Sequence, residues 1–225
     1  MLLRGASSAG RSTTPTVRIE ARGLRKRFGL HWIVKDFEHV FESGSRTAIS
    51  GPNGSGKSTL VKLLCGQLVP SAGEVSFSES GTEIATEHVY RHVSLCGPYV
   101  ELIEELTGEE HLRLHRDLRG FRQNLSLDEV WSRVAWKKRV RKQTVASYSS
   151  GMKQRLKLLI ALATEASAVF LDEPTSNLDV EGVEWYRRLV ADWGGSGTLI
   201  IASNEERDFV DCDAQIDSDR WRSVS

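Results

Sequence analysis

The chain has 225 residues, of which 40% are hydrophobic, and its 30 basic and 30 acidic side chains cancel to a formal net charge of zero. This length fits one large α/β domain, or a domain with a smaller lobe. The charge balance argues against the dense positive surface that nucleic-acid wrapping requires. The three cysteines lack metal-ligand spacing and indicate reduced thiols, and no apolar run approaches the roughly 20 residues that span a bilayer. We therefore expect a soluble, intracellular protein.

The N-terminal segment is rich in small and polar residues and leads into strand patterns. Residues 1–16 predict a disordered leader, or the product of an upstream start codon. Residues 17–20 alternate in the manner of an edge strand, and residues 24–29 predict a turn. A second strand is expected within residues 32–41. A short apolar strand, Arg46–Ser50, follows.

The next nine residues contain a full match to the eight-position phosphate-loop pattern G-x-x-x-x-G-K-[ST]. They are Gly51, Pro52, Asn53, Gly54, Ser55, Gly56, Lys57, Ser58 and Thr59. Glycines let the backbone curl around phosphate oxygens and direct its N–H groups inward. Lys57 supplies a cation for the β- and γ-phosphates, and the Ser58 hydroxyl is the expected Mg²⁺ ligand. The helix pattern that follows adds the positive end of its dipole, so strand, loop and helix together predict a nucleotide phosphate site.

Strand and helix patterns alternate through the rest of the chain. We expect strands over residues 74–78, 92–96, 168–171 and 198–202. We expect helices over residues 58–65, 152–162 and 183–193. Residues 98–147 read as helical and charged, and we expect them to form an inserted subdomain, called here the helical lobe.

Two acidic residues follow the apolar strand pattern at 168–171. A buried strand end would place Asp172 near Mg²⁺, where it can orient the water shell of the metal. Glu173 is the candidate to polarise the water that attacks the γ-phosphate. An apolar run with Asp-Glu is weak by itself, but it gains specificity after a complete phosphate loop.

A second candidate anion site precedes the predicted helix at 152–162. Ser149, Ser150 and Gly151 offer a hydroxyl, free N–H groups and a helix dipole. A simple N-cap also explains this segment. Because the chain already has one phosphate loop, a second cradle suggests a contact to the γ-phosphate held by another copy.

Together these residues resemble the nucleotide-binding subunit of an ABC transporter, over about residues 17–215. The matching positions are Phe28, in the place of an adenine-stacking aromatic, the Walker A loop at residues 51–59, the signature at 148–152, Walker B at 169–173, and the D-loop at 176–179 with Asp179. The form Tyr-Ser-x-Gly-Met-Lys-Gln-Arg looks most like the ATPase subunits of ABC-2-type exporters and of the haem exporter of cytochrome c maturation.

The resemblance implies an α/β fold of the P-loop NTPase type, with a mixed sheet core and an inserted helical subdomain, over residues 17–225. It implies ATP and Mg²⁺ as ligands, and a homodimer or a pair with a related cassette across the nucleotide. It further implies an integral membrane subunit as partner and a cytoplasmic location on the inner face of the cell membrane. No nucleic-acid partner is expected.

Two departures from the family pattern bear on activity. No Gln follows the strand pattern at 92–96, and Asn204 stands where the family has a switch His. Asn204 can donate a hydrogen bond to a γ-phosphate, but it carries no charge. Since the loss of one aligned donor commonly costs roughly 100- to 1000-fold in rate, we expect a slow ATPase. A non-transport ABC ATPase and a weakly active regulatory cassette remain as alternatives.

Four other features have plain surface interpretations. The basic run at 137–142 and the acidic residues between 101 and 110 are expected to be solvated, although the acidic group could receive a basic coupling helix of a membrane subunit. His111 and His115 have helical spacing but lack a third metal ligand, so we expect surface histidines. The acidic residues between 211 and 219 predict a solvated C-terminus.

Overall fold

The computed structural model describes residues 16–193 and 197–222, so the predicted leader lies almost wholly outside the described residues. The strands are β1 Val17–Phe28, β2 His31–Phe41, β3 Arg46–Ser50, β4 Ala72–Glu79, β5 Thr82–Ile84, β6 Val93–Cys96, β7 Ala168–Asp172, β8 Thr198–Ser203 and β9 Ala214–Asp217. The α-helices are α1 Lys57–Leu64, α2 Val89–His92, α3 Gly108–Arg119, α4 Leu127–Ser132, α5 Lys138–Arg141, α6 Ser150–Ala163 and α7 Val180–Trp193.

The first sheet is antiparallel, with strand order β2-β1-β4-β5. The prediction of a short edge strand at 17–20 with a turn at 24–29 is wrong, because β1 runs to Phe28 and pairs with β2 on one side and β4 on the other. Register shifts on both sides of Leu24 interrupt the alternation of apolar and polar residues that predicts a strand. Leu24 itself is fully buried, so β1 remains packed against the core there. The turn itself lies at Gly29 and Leu30.

The second sheet is parallel, with strand order β6-β7-β8-β3-β9. Every residue of β7 and β8 is buried, which fits a sheet covered on both faces. Because parallel strands end at the same edge, the residues that follow β3, β7 and β8 are brought together. This edge carries the phosphate loop, Asp172 and Ser203.

The helical lobe inserts between β6 and β7 and contains α3, α4 and α5, as its charged helical pattern predicted. Thr107 and Ser126 begin α3 and α4 with complete capping boxes, whose partners are Glu110 and Glu129. His111 is buried, and its ring bonds the carbonyl of Ile103 at 2.9 Å. The expectation that His111 is a surface residue is therefore wrong.

The C-terminal segment is more structured than its acidic composition predicted. β9 pairs in parallel with β3 and closes the second sheet at that edge. The indole of Trp221 is fully buried, although the acidic side chains around it are exposed. Over residues 16–193 and 197–222, no helix is both long and apolar enough to cross a membrane.

Candidate functional site

The phosphate loop adopts a backbone conformation that only glycine accommodates easily. Gly51 and Gly56 have φ values of 151° and 93°. A Cβ on Gly51 would lie 2.4 Å from the Ser218 hydroxyl, and one on Gly56 would lie 2.8 Å from a methyl of Ile33. The loop is therefore braced on both sides, and it delivers the chain into α1 with the N–H groups of the first turn free of side-chain caps.

Lys57 lies at the centre of the site with its ammonium group held inside the loop. The Nζ atom donates to the carbonyls of Gly51 and Pro52, at 2.8 and 3.2 Å. It also lies 3.4 Å from a carboxylate oxygen of Glu173. The side chain is 5% exposed, so this charge is largely desolvated and strongly attracts an anion that reaches it.

The loop lines a pocket of about 320 Å³. Of the residues selected from the sequence, the pocket brings together Asn53, Gly54, Ser55, Gly56, Lys57, Ser58, Thr59 and Glu173. Ile33 of β2 also lines it, although Ile33 belongs to no motif in the sequence. Phe28 does not belong to this lining and is 51% exposed at the end of β1, with Lys26 placed over its ring.

Asp172 ends β7 behind Lys57 and is fully buried. Among the described residues, neither of its carboxylate oxygens has a hydrogen-bond partner of normal geometry. Burial raises the pKa of Asp172 to about 6, while the Ser58 hydroxyl beside it acts in the opposite direction. Mg²⁺ prefers oxygen ligands and keeps several of its own waters, so it needs only one or two protein groups. The Asp172 carboxylate and the Ser58 hydroxyl supply such oxygens. The donor set therefore fits this metal.

Tyr99 follows β6, in the stretch where the family has a Gln and this chain has none, and no sequence signal marked it as a site residue. Its hydroxyl is buried beside the Asp172 carboxylate. Burial, and secondarily the negative charge of Asp172, raise the pKa of Tyr99. The Lys62 ammonium of α1 lies 3.6 Å from the centre of the Tyr99 ring. A search for Gln alone could not find this contact, because the chemistry is supplied by a different side chain.

Glu173 follows β7 in a left-handed conformation, with φ of 49°. Its N–H donates to the Ala202 carbonyl at 2.8 Å, and the Ser203 hydroxyl lies 3.1 Å from its second carboxylate oxygen. These contacts aim the carboxylate at Lys57 and the pocket. Asn204, the residue selected in place of the switch His, is exposed and is not among the residues that line the pocket.

Ser149, Ser150 and Gly151 lie outside the pocket lining of their own chain. Ser149 is the N-cap of α6 and accepts from the N–H of Met152. Gly151 packs against the carbonyl of Asn177, since a Cβ there would meet that oxygen at 3.0 Å. Asp179 is exposed, accepts from Gly182 at 2.8 Å, and pairs with Arg155 at 3.2 Å. The signature and the D-loop thus form one surface beside α6 and α7.

Gln154 joins this surface to the end of β7. It is buried on α6 and donates to the Pro174 carbonyl at 2.8 Å. Because Pro174 directly follows Glu173, this hydrogen bond joins α6 to the segment that carries the Glu173 carboxylate. A polar residue on an apolar helix face was the only sequence signal for this link.

The fold and the loop define a P-loop nucleotide-binding protein. The model of the ABC transporter family matches residues 34–176. The chain belongs to this family, and the resemblance drawn from its motifs is confirmed.

Curated relatives support the same assignment. The chain is 33% identical to the ATP-binding protein Uup of Caulobacter vibrioides over 94% of this chain and 32% of that protein. It is 34% identical to the daunorubicin resistance ATP-binding protein DrrA3 of Streptomyces coeruleorubidus over 86% of this chain and 62% of that protein. It is 31% identical to the cytochrome c biogenesis ATP-binding export protein CcmA of Rhodopseudomonas palustris, over 83% and 91%. The chain thus spans 32% of the length of the Uup relative and 62% of the length of the DrrA3 relative.

Solved structures share the fold. An ATP-binding ABC transporter protein of Pyrococcus furiosus superposes with a TM-score of 0.76 at 21% identity, covering 92% of this chain and all of that one. A bacterial ABC transporter cassette solved as a dimer superposes with a TM-score of 0.72 at 19% identity, covering 89% and 94%. The predicted fold class, an α/β P-loop NTPase with an inserted helical subdomain, is confirmed.

Proposed function

We propose that this chain is the ATP-binding and ATP-hydrolysing subunit of an ABC exporter, and that it drives a separate membrane subunit through ATP-dependent dimerisation. One observation carries the proposal. Lys57, Ser58, Asp172 and Glu173 converge where β3 and β7 end, with the buried lysine 3.4 Å from Glu173 and with Asp172 beside Ser58.

The residues divide the chemistry between them. The carbonyls of Gly51 and Pro52 hold the Lys57 ammonium until phosphate oxygens of ATP take their place. Ser58 and Asp172 would hold Mg²⁺, which neutralises charge on the phosphates. Glu173 accepts a hydrogen bond from the attacking water and orients it. Phe28 is proposed as the stacking partner of adenine.

We expect hydrolysis to be slow. Asn204 is neutral and exposed, and Tyr99 replaces an amide near Asp172. Neither supplies the full transition-state stabilisation that the family pattern provides. Turnover well below the order of 1–10 per second is expected, and a turnover in that range contradicts the slow-ATPase proposal.

The assay for hydrolysis compares Glu173→Gln with Glu184→Gln. Glu173 contacts Lys57, whereas Glu184 is an exposed acid on α7. Loss of phosphate release in the first variant and normal release in the second support the assigned role. Equal rates in both variants contradict it, and a wild-type chain that binds ATP without any turnover favours the regulatory-cassette alternative.

The dimer proposal is motivated by the surface that Ser149, Ser150, Gly151 and Asp179 share. None of these residues lines the pocket of its own chain, and Ser149, Ser150 and Asp179 are exposed, which supports a role at the γ-phosphate site of a second copy. ATP bridges the two copies because its terminal phosphate can accept donors from both. Hydrolysis removes that bridge and lets the pair open.

The dimer is tested by sedimentation with ATP in the Glu173→Gln background. Ser149→Ala and Ser126→Ala each remove a serine N-cap, from α6 and α4, at a similar cost of about 1 kcal/mol. We expect only Ser149→Ala to abolish ATP-induced dimerisation. Normal dimerisation of Ser149→Ala rejects the contact in trans.

The membrane subunit is proposed to dock on a cavity of about 420 Å³ between α6, β6 and the helical lobe. Exposed apolar side chains at its rim include Tyr90, Ile103 and Leu114. The name of the CcmA relative, an ATP-binding export protein, supports an export role. We propose that the chain acts on the inner face of the cell membrane. Co-purification of a polytopic protein from membranes supports this partner, whereas recovery of the chain free of any such protein favours a non-transport ATPase.

Some of the acidic residues between 101 and 110 already have partners within the chain, so fewer of them are available to bind a basic segment of a membrane subunit. Glu104 pairs with Lys153, and Glu110 belongs to the capping box of α3. Glu105 stays exposed. If these acidic residues receive a basic segment of the partner, charge reversal at Glu104 and Glu105 abolishes complex formation, and an intact complex removes that docking role.

A further inference from the structure

A buried carboxylate that no motif predicted lies behind Glu173. Asp208 belongs to the short 3₁₀ turn after β8 and is 1% exposed. It accepts from the Ser203 hydroxyl at 2.7 Å and from the Thr175 hydroxyl at 2.5 Å, one donor for each carboxylate oxygen. Within residues 16–193 and 197–222, no ion pair to Asp208 is formed.

Retaining an acid at this position is costly. Burial raises the pKa of Asp208 above its ordinary value, and the two hydroxyl donors only partly offset that effect. The surroundings are fixed from several directions, since the Asp208 carbonyl accepts from Tyr186 at 2.8 Å and its N–H donates to Glu205 at 3.0 Å. Because an apolar side chain of similar volume would avoid this cost, we expect the buried Asp208 carboxylate to have a role that depends on its hydrogen bonds.

Both donors to Asp208 are neighbours of Glu173. The Ser203 Oγ lies 2.7 Å from Asp208 and 3.1 Å from Glu173, so the two carboxylates share its single proton in a three-centre hydrogen bond, with the shorter contact to Asp208. Thr175 is two residues beyond Glu173 in the same loop. Asp208 therefore contacts two residues near Glu173: Ser203 at the end of β8, and Thr175 in the segment that follows Glu173.

Glu173 needs such support. Its φ of 49° is a left-handed conformation that a glutamate adopts only when its surroundings impose it. The Ala202 carbonyl restrains its N–H, and Ser176 donates to its carbonyl at 3.1 Å. These bonds fix the backbone, and Ser203 is the contact that restrains the far carboxylate oxygen.

We propose that Asp208 is a positioning residue that acts through Ser203 and Thr175 to hold the Glu173 carboxylate toward Lys57. The inference rests on the proposed function, because it matters only if Glu173 orients the attacking water. It also accounts for how the site fixes the Glu173 carboxylate although Asn204 does not line the pocket.

The experiment compares Asp208→Asn and Ser203→Ala with Ser203→Thr, which keeps the hydroxyl. Thr164→Val is the matched control, because Thr164 is a buried residue at the C-terminal end of α6 whose hydroxyl donates to the Ile160 carbonyl at 2.7 Å. Steady-state turnover, ATP dissociation constants by calorimetry, and deuterium exchange of residues 172–178 in the nucleotide-free chain are measured for each.

We expect Asp208→Asn and Ser203→Ala to lower kcat about 10- to 100-fold, the range seen when a hydrogen-bond partner of a metal ligand is removed. ATP affinity should change by no more than about two-fold, and exchange of residues 172–178 should become faster. The double variant should be no slower than the slower single variant, because both remove one chain of contacts. Ser203→Thr should recover most of the rate.

The inference is overturned if Ser203→Ala turns over within about two-fold of the wild type, a result that does not depend on whether Asp208→Asn folds. It is also overturned if Thr164→Val lowers kcat equally, since a general packing defect then explains the loss. If Glu173→Gln abolishes hydrolysis while Ser203→Ala does not, only this inference fails. If Glu173→Gln has no effect, the proposed function fails with it.

Discussion

Replacing Trp221 with phenylalanine tests how the C-terminal segment braces the phosphate loop. The Trp221 indole is fully buried, and its N–H donates to the Ser55 carbonyl at 3.0 Å. Its ring packs edge-on against Phe37 at 5.9 Å between centroids. Trp221→Phe keeps an aromatic ring in the core but removes the only indole donor to the loop among the described contacts.

Two contributions determine the size of the effect. The smaller ring leaves a partly filled space, which costs roughly 1–2 kcal/mol in a well-packed core. The Ser55 carbonyl then loses its buried donor, at a further cost of about 1–3 kcal/mol. We expect the free energy of unfolding to fall by roughly 2–5 kcal/mol. ATP affinity should fall as well, because Ser55 lines the nucleotide pocket.

Trp131→Phe is the matched control. Trp131 is 2% exposed in the helical lobe, and its indole nitrogen has no hydrogen-bond partner among the described residues. This variant loses packing but no hydrogen bond. Urea unfolding followed by circular dichroism gives both stabilities, and calorimetry gives both ATP affinities. Equal losses of stability with unchanged ATP affinity in the two variants would refute the bracing role of Trp221.

Three further predictions concern individual groups. Because burial raises the pKa of Asp172 from 3.8 to about 6, the native chain binds an extra proton between these values and its stability falls as pH rises through them. Asp172→Asn should remove roughly 1–3 kcal/mol of that pH dependence in urea unfolding, and an unchanged slope contradicts the assignment. Tyr99→Phe removes a neighbour that favours the ionised carboxylate, so the midpoint of the same slope should move to higher pH, and a fixed midpoint argues against the contact. Thr107→Ala breaks the capping box of α3 and should cost about 1 kcal/mol, whereas an unchanged urea midpoint would show that the cap does not hold the helix.

The local parts of the site were predictable from the sequence. Arg46–Ser50 is confirmed as a strand, and the apolar run before Asp172 is confirmed as the buried strand β7. These signals work because a few adjacent residues decide both the backbone conformation and the chemistry. The phosphate loop is the strongest case, since the glycines and Lys57 are needed at fixed spacing.

Contacts between distant segments were not predictable. Ile33 and Trp221 reach the phosphate loop from strands and turns far away in the sequence, and nothing near either residue indicates a nucleotide site. In the sequence, Asp208 looks like an ordinary surface acid. Only the fold shows that it is buried in the turn after β8 and accepts a hydrogen bond from Ser203. Tyr99 matches no family motif, because the family has an amide side chain in this stretch.

The central claim is that main-chain amides and the Lys57 ammonium grip the phosphates of ATP. Calorimetric titration of the chain with ATP and Mg²⁺ tests it most directly, with Lys57→Ala and the exposed Lys142→Ala side by side. The account predicts saturable binding to the wild type and to Lys142→Ala, with affinity about 10- to 100-fold weaker in Lys57→Ala. No heat of binding in the wild type, or identical isotherms for wild type and Lys57→Ala, would contradict it.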